Sequence, residues 1–279
     1  MNSKTQNNLL AYLILTIAVL LILCLIGSAA LAVVKIVNAD DAPETLPSTD
    51  TETDSVPTQV DPLTVTLGET PDAGMKYIDR MIFFGESTTA HLRSRGVLTG
   101  GTDTKQVWAD ASGTKSLSSK ITSESIIYPE TGENLMIAEA CAKAQPDYLV
   151  LSFGLNGING FIANKSTYVN AYNQLIRAVR EASPNTKIIL QSVYPVCDGT
   201  GSQAFGTDVA TLNANIRTLN TWLPEIAASH ENVRFVDTAS VLCDSQNQLA
   251  TSYNNGDGIH LTVSAYEAIL AYLRTHAWQ

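Results

Sequence analysis

Basic residues are scarce in this chain, and what is missing excludes several classes of function. The 279 residues include 17 Lys and Arg against 27 Asp and Glu, a net charge of −10. A nucleic-acid binder that works by neutralising phosphates needs a basic face, so that class is excluded. The sequence has no P-loop, no glycine fingerprint for dinucleotides after a strand, and no His, Cys, Asp and Glu cluster at metal-ligand spacing. We therefore expect neither a cofactor nor a metal.

The acidic charge is concentrated in one short segment. Residues 1–35 carry a net charge of +2 and residues 76–279 carry −3, whereas residues 36–75 contain nine acids and no Lys or Arg. This segment is also rich in Pro, Thr and Ser, a composition that cannot bury enough apolar surface to offset the entropy lost on ordering. We predict that residues 35–75 form an extended, disordered linker rather than an acidic protein-binding tail.

Charged residues are absent from the run Leu9–Val34. As a helix, its 26 residues would span about 39 Å, more than the ~30 Å hydrocarbon core of a bilayer. The apolar region of a secretory signal is usually shorter. We predict that residues 9–34 form an uncleaved single-pass anchor in the cell membrane, with residues 1–8 in the cytoplasm and the rest of the chain outside. The alternative is a signal peptide cleaved after Ala39.

Residues 76–279 alternate between strand-like and helix-like segments. The runs "RMIFFG" at Arg80–Gly85 and "DYLVLSFG" at Asp147–Gly154 are short, apolar and end in glycine. Helical patterns occupy Glu133–Gln145 and Val209–Ala228. This alternation predicts one α/β domain with a mostly parallel sheet, whose functional site lies at the carboxyl ends of the strands.

Three polar loops follow or precede these elements. Ser87 lies in "GESTTAHL", Asn156 in "GLNGING", and Asp257 and His260 in "GDGIHLT". Each loop alone has an ordinary structural explanation, as a helix cap, a turn or a satisfied surface histidine. Together they supply the nucleophile, the base, the group that orients the base and an oxyanion donor, which acyl transfer needs at one place.

These segments resemble the conserved blocks of SGNH/GDSL-type hydrolases. "FFGESTT" is similar to the G-D-S block of that family, "SFGLNG" to its G-x-N block and "DGIHLT" to its D-x-x-H block, in the same order, over about residues 79–276. The resemblance implies a flavodoxin-like three-layer α/β/α sandwich with serine-dependent esterase or acyltransferase activity. One position departs from the pattern, because Glu86 stands where the family has Asp.

The resemblance also assigns roles to residues. It makes Ser87 the nucleophile, His260 the general base, and Asp257 the group that orients the imidazole. The oxyanion donors would be the N–H groups of Ser87 and Gly113 and the side-chain amide of Asn156. Gly113, in "ADASGTKS", is the best candidate for the glycine of the family's second block.

The implied function is hydrolysis of a carboxylic ester outside the cell. A membrane-tethered enzyme of this type would act on a small-molecule or glycan ester, such as an O-acetyl group on a carbohydrate or cell-wall polymer. Two alternatives stay open. An acyltransferase would use the same triad to acylate a glycan hydroxyl, and a non-catalytic binding module would keep only the fold.

Four further residues near these loops need an explanation. His91 follows Ser87 by four residues and has no acid at an orienting spacing, which predicts a position at the rim or surface. The aromatic residues Trp108, Phe161 and Tyr194 could stack on a sugar, but ordinary packing is the preferred interpretation.

Two of the cysteines outside the anchor follow successive predicted strands. Cys197 lies in "VCDG" and Cys243 in "LCDS". If those strands are neighbours, the two loops are close, and an oxidising exterior would allow a disulfide. The separation of the Cα atoms decides whether the bridge forms, so this disulfide remains one of two open outcomes.

Overall fold

Five short apolar segments form a parallel sheet. The computed structural model describes residues 61–113 and 115–279. Its strands are β1 (Met81–Gly85), β2 (Val107–Trp108), β3 (Ser125–Ile127), β4 (Asn134–Met136), β5 (Tyr148–Ser152), β6 (Lys187–Gln191) and β7 (Val233–Val236). The order in the sheet is β2-β1-β5-β6-β7, all parallel, while β3 and β4 form a separate antiparallel pair. If the five strands of this sheet are numbered in chain order, their order across the sheet is 2-1-3-4-5, which is the order of flavodoxin-like folds.

Helices cover both faces of the sheet. They are α1 (Met75–Ile78), α2 (Ser87–Ser94), α3 (Ile137–Ala144), α4 (Ile158–Ala163), α5 (Lys165–Ala182), α6 (Thr200–Gln203), α7 (Val209–Ala228) and α8 (Val263–Thr275). Side chains of α3, α4, α5 and α7 pack in one core layer and those of α1, α2 and α8 in the other. The three-layer α/β/α sandwich predicted from the sequence is confirmed.

Strand β5 is apolar throughout because helices cover both faces of the sheet at this position. Successive side chains of a strand point to opposite faces, so a strand covered on both sides buries every residue. Leu149 and Leu151 enter the core layer of α5 and α7, whereas Tyr148 and Val150 enter that of α2 and α8. The continuous apolar run is therefore the mark of a central strand.

Most predicted elements occur where the pattern placed them, with one clear difference. Helix α7 spans Val209–Ala228 as predicted, and the Asp208 side chain caps it by accepting from the Thr211 N–H at 2.9 Å. The predicted helix Glu133–Gln145 begins only at Ile137, because Asn134–Met136 pairs with β3 instead.

The end of the predicted linker belongs to the folded domain. Residues Pro62–Val65 form a 3-10 helix, and Val65 and Leu67 are buried. The Leu67 N–H donates to the Phe235 carbonyl at 2.8 Å, which adds this segment beside β7. The prediction that the linker extends to residue 75 was therefore wrong for residues 61–75.

The predicted anchor at 9–34 and the linker up to residue 60 lie outside the described residues. Within 61–113 and 115–279, none of the helices combines the length and the apolar character needed to cross a bilayer.

Candidate active site

The turn between β1 and α2 presents Ser87 at the carboxyl edge of the sheet. Ser87 is the first residue of α2, so its N–H has no partner within the helix. The turn is tight, because a Cβ at Gly85 would lie 2.2 Å from Thr89 Oγ1 and 2.4 Å from the Ser152 carbonyl. Glycine at position 85 is therefore required by the close approach of α2 and β5.

His260 and Asp257 come from the loop before α8 and complete a hydrogen-bonded chain with Ser87. The Ser87 Oγ lies 3.0 Å from His260 Nε2, and His260 Nδ1 lies 2.5 Å from Asp257 Oδ2. A carboxylate can only accept, so Nδ1 carries the proton and Nε2 presents its lone pair to the Ser87 hydroxyl. In this arrangement the imidazole can take the hydroxyl proton.

Asp257 is held as a carboxylate. Its Oδ1 accepts from the Ile259 and His260 N–H groups at 2.9 and 2.8 Å, while Oδ2 faces the imidazole. Partial burial raises its pKa, but the hydrogen bonds from the His260 ring and from the two N–H groups outweigh burial and lower the pKa to about 2. Asp257 therefore stays ionised at every pH at which an imidazole can act as a base.

Glu86 connects the nucleophile turn to the Asn156 loop. Its Oε1 accepts from the Gly154 N–H at 2.9 Å and from the Asn156 N–H at 3.0 Å. Glu86 itself is 5% exposed. From the other side of that loop, Tyr168 and Tyr172 donate to the Phe153 carbonyl at 3.0 and 3.1 Å. The loop that carries Asn156 is thus fixed on both sides by side chains of neighbouring elements.

Burial raises the pKa of Glu86 to about 8, although the N–H groups it accepts from act in the opposite direction. The carboxyl group is consequently protonated in the folded protein near neutrality. Since Oε1 remains an acceptor when the other oxygen carries the proton, both backbone hydrogen bonds persist in the neutral form.

We expect Glu86→Gln to remove a pH dependence of stability. The folded pKa lies above the ordinary value, so the contribution of Glu86 is complete below about pH 4.5 and is lost as the pH rises towards 8. The loss amounts to at most about 1.4 kcal/mol per pH unit. Glutamine keeps the acceptor and cannot ionise. Urea unfolding at pH 5, 6.5 and 8 should therefore give a flatter profile for Glu86→Gln than for the wild type.

The exposed helix residue Glu181 provides the control for this measurement. Glu181→Gln should keep the wild-type profile. Parallel profiles for the wild type and Glu86→Gln would contradict a raised pKa at position 86.

The three predicted oxyanion donors differ in the hydrogen bonds that they already make within the protein. The Ser87 N–H begins α2, and among the described residues the Asn156 Nδ2 donates one long hydrogen bond, to the Lys115 carbonyl at 3.4 Å. Gly113 lies near the Ala90 side chain on the same helix as Ser87. Its N–H, however, donates to the Asp110 Oδ1 at 2.8 Å. Gly113 would have to exchange this bond to bind an oxyanion, and its role stays a prediction.

Lys115, beside the Asn156 loop, is a buried cation that is 6% exposed. Its Nζ lies 3.1 Å from Glu124 Oε2 and 3.6 Å from Asp110 Oδ2. Its carbonyl accepts from the Asn156 side chain. Lys115 therefore links the Asp110–Gly113 turn to the Asn156 loop, a role that no motif in the sequence indicated.

The loop Cys197–Ser202 supports the Asp257 loop through the main chain. The Cys197 N–H donates to the Gly258 carbonyl at 2.9 Å, and the Gly201 N–H to the Asp257 carbonyl at 2.8 Å. The two backbones are so close that a Cβ at Gly199 would lie 2.3 Å from the Asp257 carbonyl. Gly199, the first glycine in "CDGTGS", is thus required by its contact with the Asp257 backbone.

We expect Gly199→Ala to lower ester hydrolysis by about tenfold to a hundredfold, because a displaced Asp257 misorients the imidazole. The backbone of Gly199 is extended, a conformation that alanine also adopts, so only the contact changes. The measurement is kcat with a chromogenic ester, beside the melting temperature. Gly160→Ala is the matched control, since a Cβ there meets nothing within 4 Å. Full activity in Gly199→Ala would contradict the supporting role of this loop.

Cys197 and Cys243 are free thiols in the structure, which is the unbridged one of the two outcomes that the sequence left open. Leu249 lies between them. Its N–H donates to the Val196 carbonyl on one side, and it pairs with Cys243 on the other. Two strand spacings separate the cysteines by about 9 Å, beyond the ~7 Å that a disulfide tolerates.

His91, for which the sequence context predicted a position at the rim or surface, is half-buried and faces His260. Its ring centroid is 4.6 Å from that of His260, with the planes tilted by 42°. The aromatic residues Trp108, Phe161 and Tyr194 are buried in the core, in agreement with the packing interpretation. The structure therefore brings Ser87, Asp257 and His260 together as predicted and adds one imidazole to them.

Comparisons with known proteins complete the description of the site. The profile of the GDSL-like Lipase/Acylhydrolase family matches residues 83–268, a range that contains the three polar loops. A search of curated proteins gave no match.

Several solved structures are similar to this chain. A candidate platelet activating factor of Streptococcus pneumoniae is 20% identical, with 73% of this chain and 91% of that chain covered and a TM-score of 0.47. A carbohydrate esterase family 3 protein from Talaromyces cellulolyticus is 15% identical, with coverages of 70% and 93% and a TM-score of 0.43. The periplasmic domain of a lipopolysaccharide acetyltransferase from Salmonella ser. Paratyphi A is 15% identical, with coverages of 75% and 84% and a TM-score of 0.45.

Proposed function

The chain belongs to the GDSL-like Lipase/Acylhydrolase family, and on that premise we propose that it is a serine hydrolase that cleaves carboxylic esters. One observation carries the proposal. A continuous hydrogen-bonded chain runs from the Ser87 Oγ through both nitrogens of His260 to the Asp257 carboxylate, with heavy-atom distances of 3.0 and 2.5 Å. Nucleophilic catalysis of acyl transfer requires a hydroxyl, a base and an orienting acid in this relation.

The reaction follows from the roles of these groups. The Ser87 Oγ attacks the ester carbonyl while its proton passes to His260 Nε2, and the Asp257 carboxylate stabilises the imidazolium that forms. The Ser87 N–H and the Asn156 amide donate to the oxyanion. The imidazolium then protonates the leaving alkoxide, which leaves an acyl-Ser87. A water deprotonated by His260 hydrolyses this ester and restores the serine.

We propose a short acyl group as the acid half of the substrate, on the resemblance of the loops around Ser87, Asn156 and His260 to the SGNH/GDSL blocks. The side chains of Asp257 and His260 are 34% and 27% exposed, so the alcohol half can belong to a large molecule such as a glycan.

Location outside the cell is also part of the proposal. It rests on the uncharged run Leu9–Val34 and the acidic segment that follows it. Extraction of membranes at alkaline pH should leave the full-length protein in the membrane fraction, and protease added to intact cells should release the domain. A protein recovered in soluble form with an N-terminus after Ala39 would replace the anchor with a cleaved signal peptide.

Hydrolysis of p-nitrophenyl acetate by the purified protein tests the function. We expect turnover with the acetate ester and a steep decline with the butyrate and octanoate esters. Acetate release from O-acetylated glycans then tests the alcohol half. If an added sugar acceptor captures the acyl group faster than water does, the protein is an acyltransferase with the same triad. If none of these esters yields an acyl product, the proposal is wrong.

A further inference from the structure

His91 occupies a place beside the triad that no step of the mechanism uses. It lies one helical turn after Ser87 on α2, so both side chains project from the same face of that helix. The ring centroids of His91 and His260 are 4.6 Å apart, close enough for contact between the two imidazoles.

We propose that His91 is a positioning residue: a neutral imidazole that fixes the ring plane of His260 and leaves His260 as the place where positive charge develops. The inference rests on the proposed function, because it concerns the base of that reaction. It adds a fourth side chain to the machinery and assigns that side chain a protonation state.

The surroundings of its ring nitrogen favour the neutral form of His91. Nδ1 is buried, and it makes no hydrogen bond with any of the described residues. An imidazolium carries a proton on both nitrogens, so charging His91 would leave a buried N–H without an acceptor. The neutral tautomer with its proton on Nε2 leaves only a lone pair unused.

Burial and two of the three charged or titratable groups that face His91 also favour its neutral form. His260 and Asp257 face it from the loop before α8, and Arg95 lies one turn further along its own helix. Burial lowers the pKa of His91, His260 and Arg95 lower it further, and only Asp257 raises it. The Asp257 carboxylate already accepts three hydrogen bonds, from the His260 ring, the His260 N–H and the Ile259 N–H.

Neutrality matters because His260 becomes an imidazolium during acyl transfer. A neutral aromatic ring in contact with a cation is compatible with it, whereas a second cation at 4.6 Å would repel it. The contact also restricts rotation of the His260 ring. That rotation would break the hydrogen bonds at both of its nitrogens at once.

Three substitutions separate packing from charge. His91→Phe keeps a neutral ring, so we expect kcat within about threefold of the wild type and an unchanged acid limb of kcat/KM. His91→Ala removes the ring and should lower kcat about tenfold with little change in KM. His91→Lys places a cation beside His260 and disfavours its protonation, so the acid limb should move to lower pH by about half a unit or more.

The matched control is His230→Phe. His230 is half-buried like His91, but it bonds to the Asn173 Oδ1 and takes no part in the site. His230→Phe should leave kcat and the pH profile unchanged. Circular dichroism and the melting temperature of each variant verify the fold, and if His91→Ala does not fold, the Phe and Lys variants decide the question.

Several results would overturn the inference. They are wild-type kcat in a folded His91→Ala, a loss of more than tenfold in His91→Phe, a shift of the acid limb to higher pH in His91→Phe, or no shift in His91→Lys. A shift of the acid limb to higher pH in His91→Phe would mean that His91 carries a charge in the wild type. Failure of the proposed function is a separate result, because it would appear as undiminished activity in Ser87→Ala, whatever the His91 variants do.

Discussion

An alanine at position 87 is expected to lower the rate of ester hydrolysis by about 10⁴-fold to 10⁶-fold. The Ser87 Oγ is the hydroxyl that lies 3.0 Å from His260 Nε2, and without it no acyl-enzyme forms. The oxyanion donors and the binding surface survive the substitution, so a small residual rate over that in water should persist. The measurement is kcat with p-nitrophenyl acetate, supported by the mass of the protein after reaction with a fluorophosphonate.

The control for this substitution lies on the same helix. Ser94 is the last residue of α2 and is exposed, so Ser94→Ala makes the same chemical change away from His260. We expect Ser94→Ala to retain wild-type activity and to be labelled at Ser87. Equal activity of Ser87→Ala and the wild type would eliminate the proposed mechanism.

Asp257→Asn should cost about 10³-fold to 10⁴-fold in kcat while the protein stays folded. The amide oxygen can still accept from the Ile259 and His260 N–H groups, which directs the amide nitrogen towards His260 Nδ1. An amide nitrogen can only donate, so Nδ1 must then accept and the proton moves to Nε2. That tautomer presents an N–H to the Ser87 hydroxyl and cannot take its proton.

The loss in Asp257→Asn should be nearly independent of pH across the neutral range. With its pKa held at about 2, Asp257 is ionised throughout that range in the wild type, so no pH makes the two proteins equivalent. The exposed residue Asp103 serves as the control, and Asp103→Asn should change neither kcat nor its pH profile. A loss below tenfold in Asp257→Asn would show that another group orients His260.

The triad could be predicted from the sequence because its geometry follows from simple rules. Ser87 and Asn156 each come directly after a central apolar strand, and parallel strands end at the same edge of the sheet. The D-x-x-H spacing places the Asp257 carboxylate within reach of the His260 ring and its N–H without any tertiary information. The positions of these residues in the fold can therefore be inferred from the local sequence.

The role of His91 could not be predicted in the same way. Helical spacing places His91 on the face that presents Ser87, but the group packed against that face comes from the loop before α8, more than 160 residues later. Neither strand order nor helix periodicity specifies how far the loop before α8 extends towards α2. Only the packing of α8 against α2, with the Tyr266 hydroxyl donating to the Thr88 carbonyl at 2.7 Å, brings the two imidazoles together.

The separation of the two cysteines and the domain boundary could not be obtained from the sequence for a related reason. Strand order correctly suggested that the loops after β6 and β7 are neighbours, but the segment around Leu249 inserts between Cys197 and Cys243. Near the boundary, the acidic, proline-rich composition concealed two anchoring side chains, Val65 and Leu67. Composition averaged over a window does not detect two apolar residues that alternate with polar ones and attach their segment beside β7.

Because of the glycine-lined contact between the segments at 197–202 and 257–260, we expect two parts of the site to differ in their resistance to heat. Ser87 and Asn156 are attached to the ends of central strands, which open only with the whole sheet. Asp257 and His260 depend on a few main-chain hydrogen bonds between two surface loops. On warming, the acid–base pair would detach before the nucleophile moves. Inactivation would then precede unfolding, and cooling would restore activity without refolding.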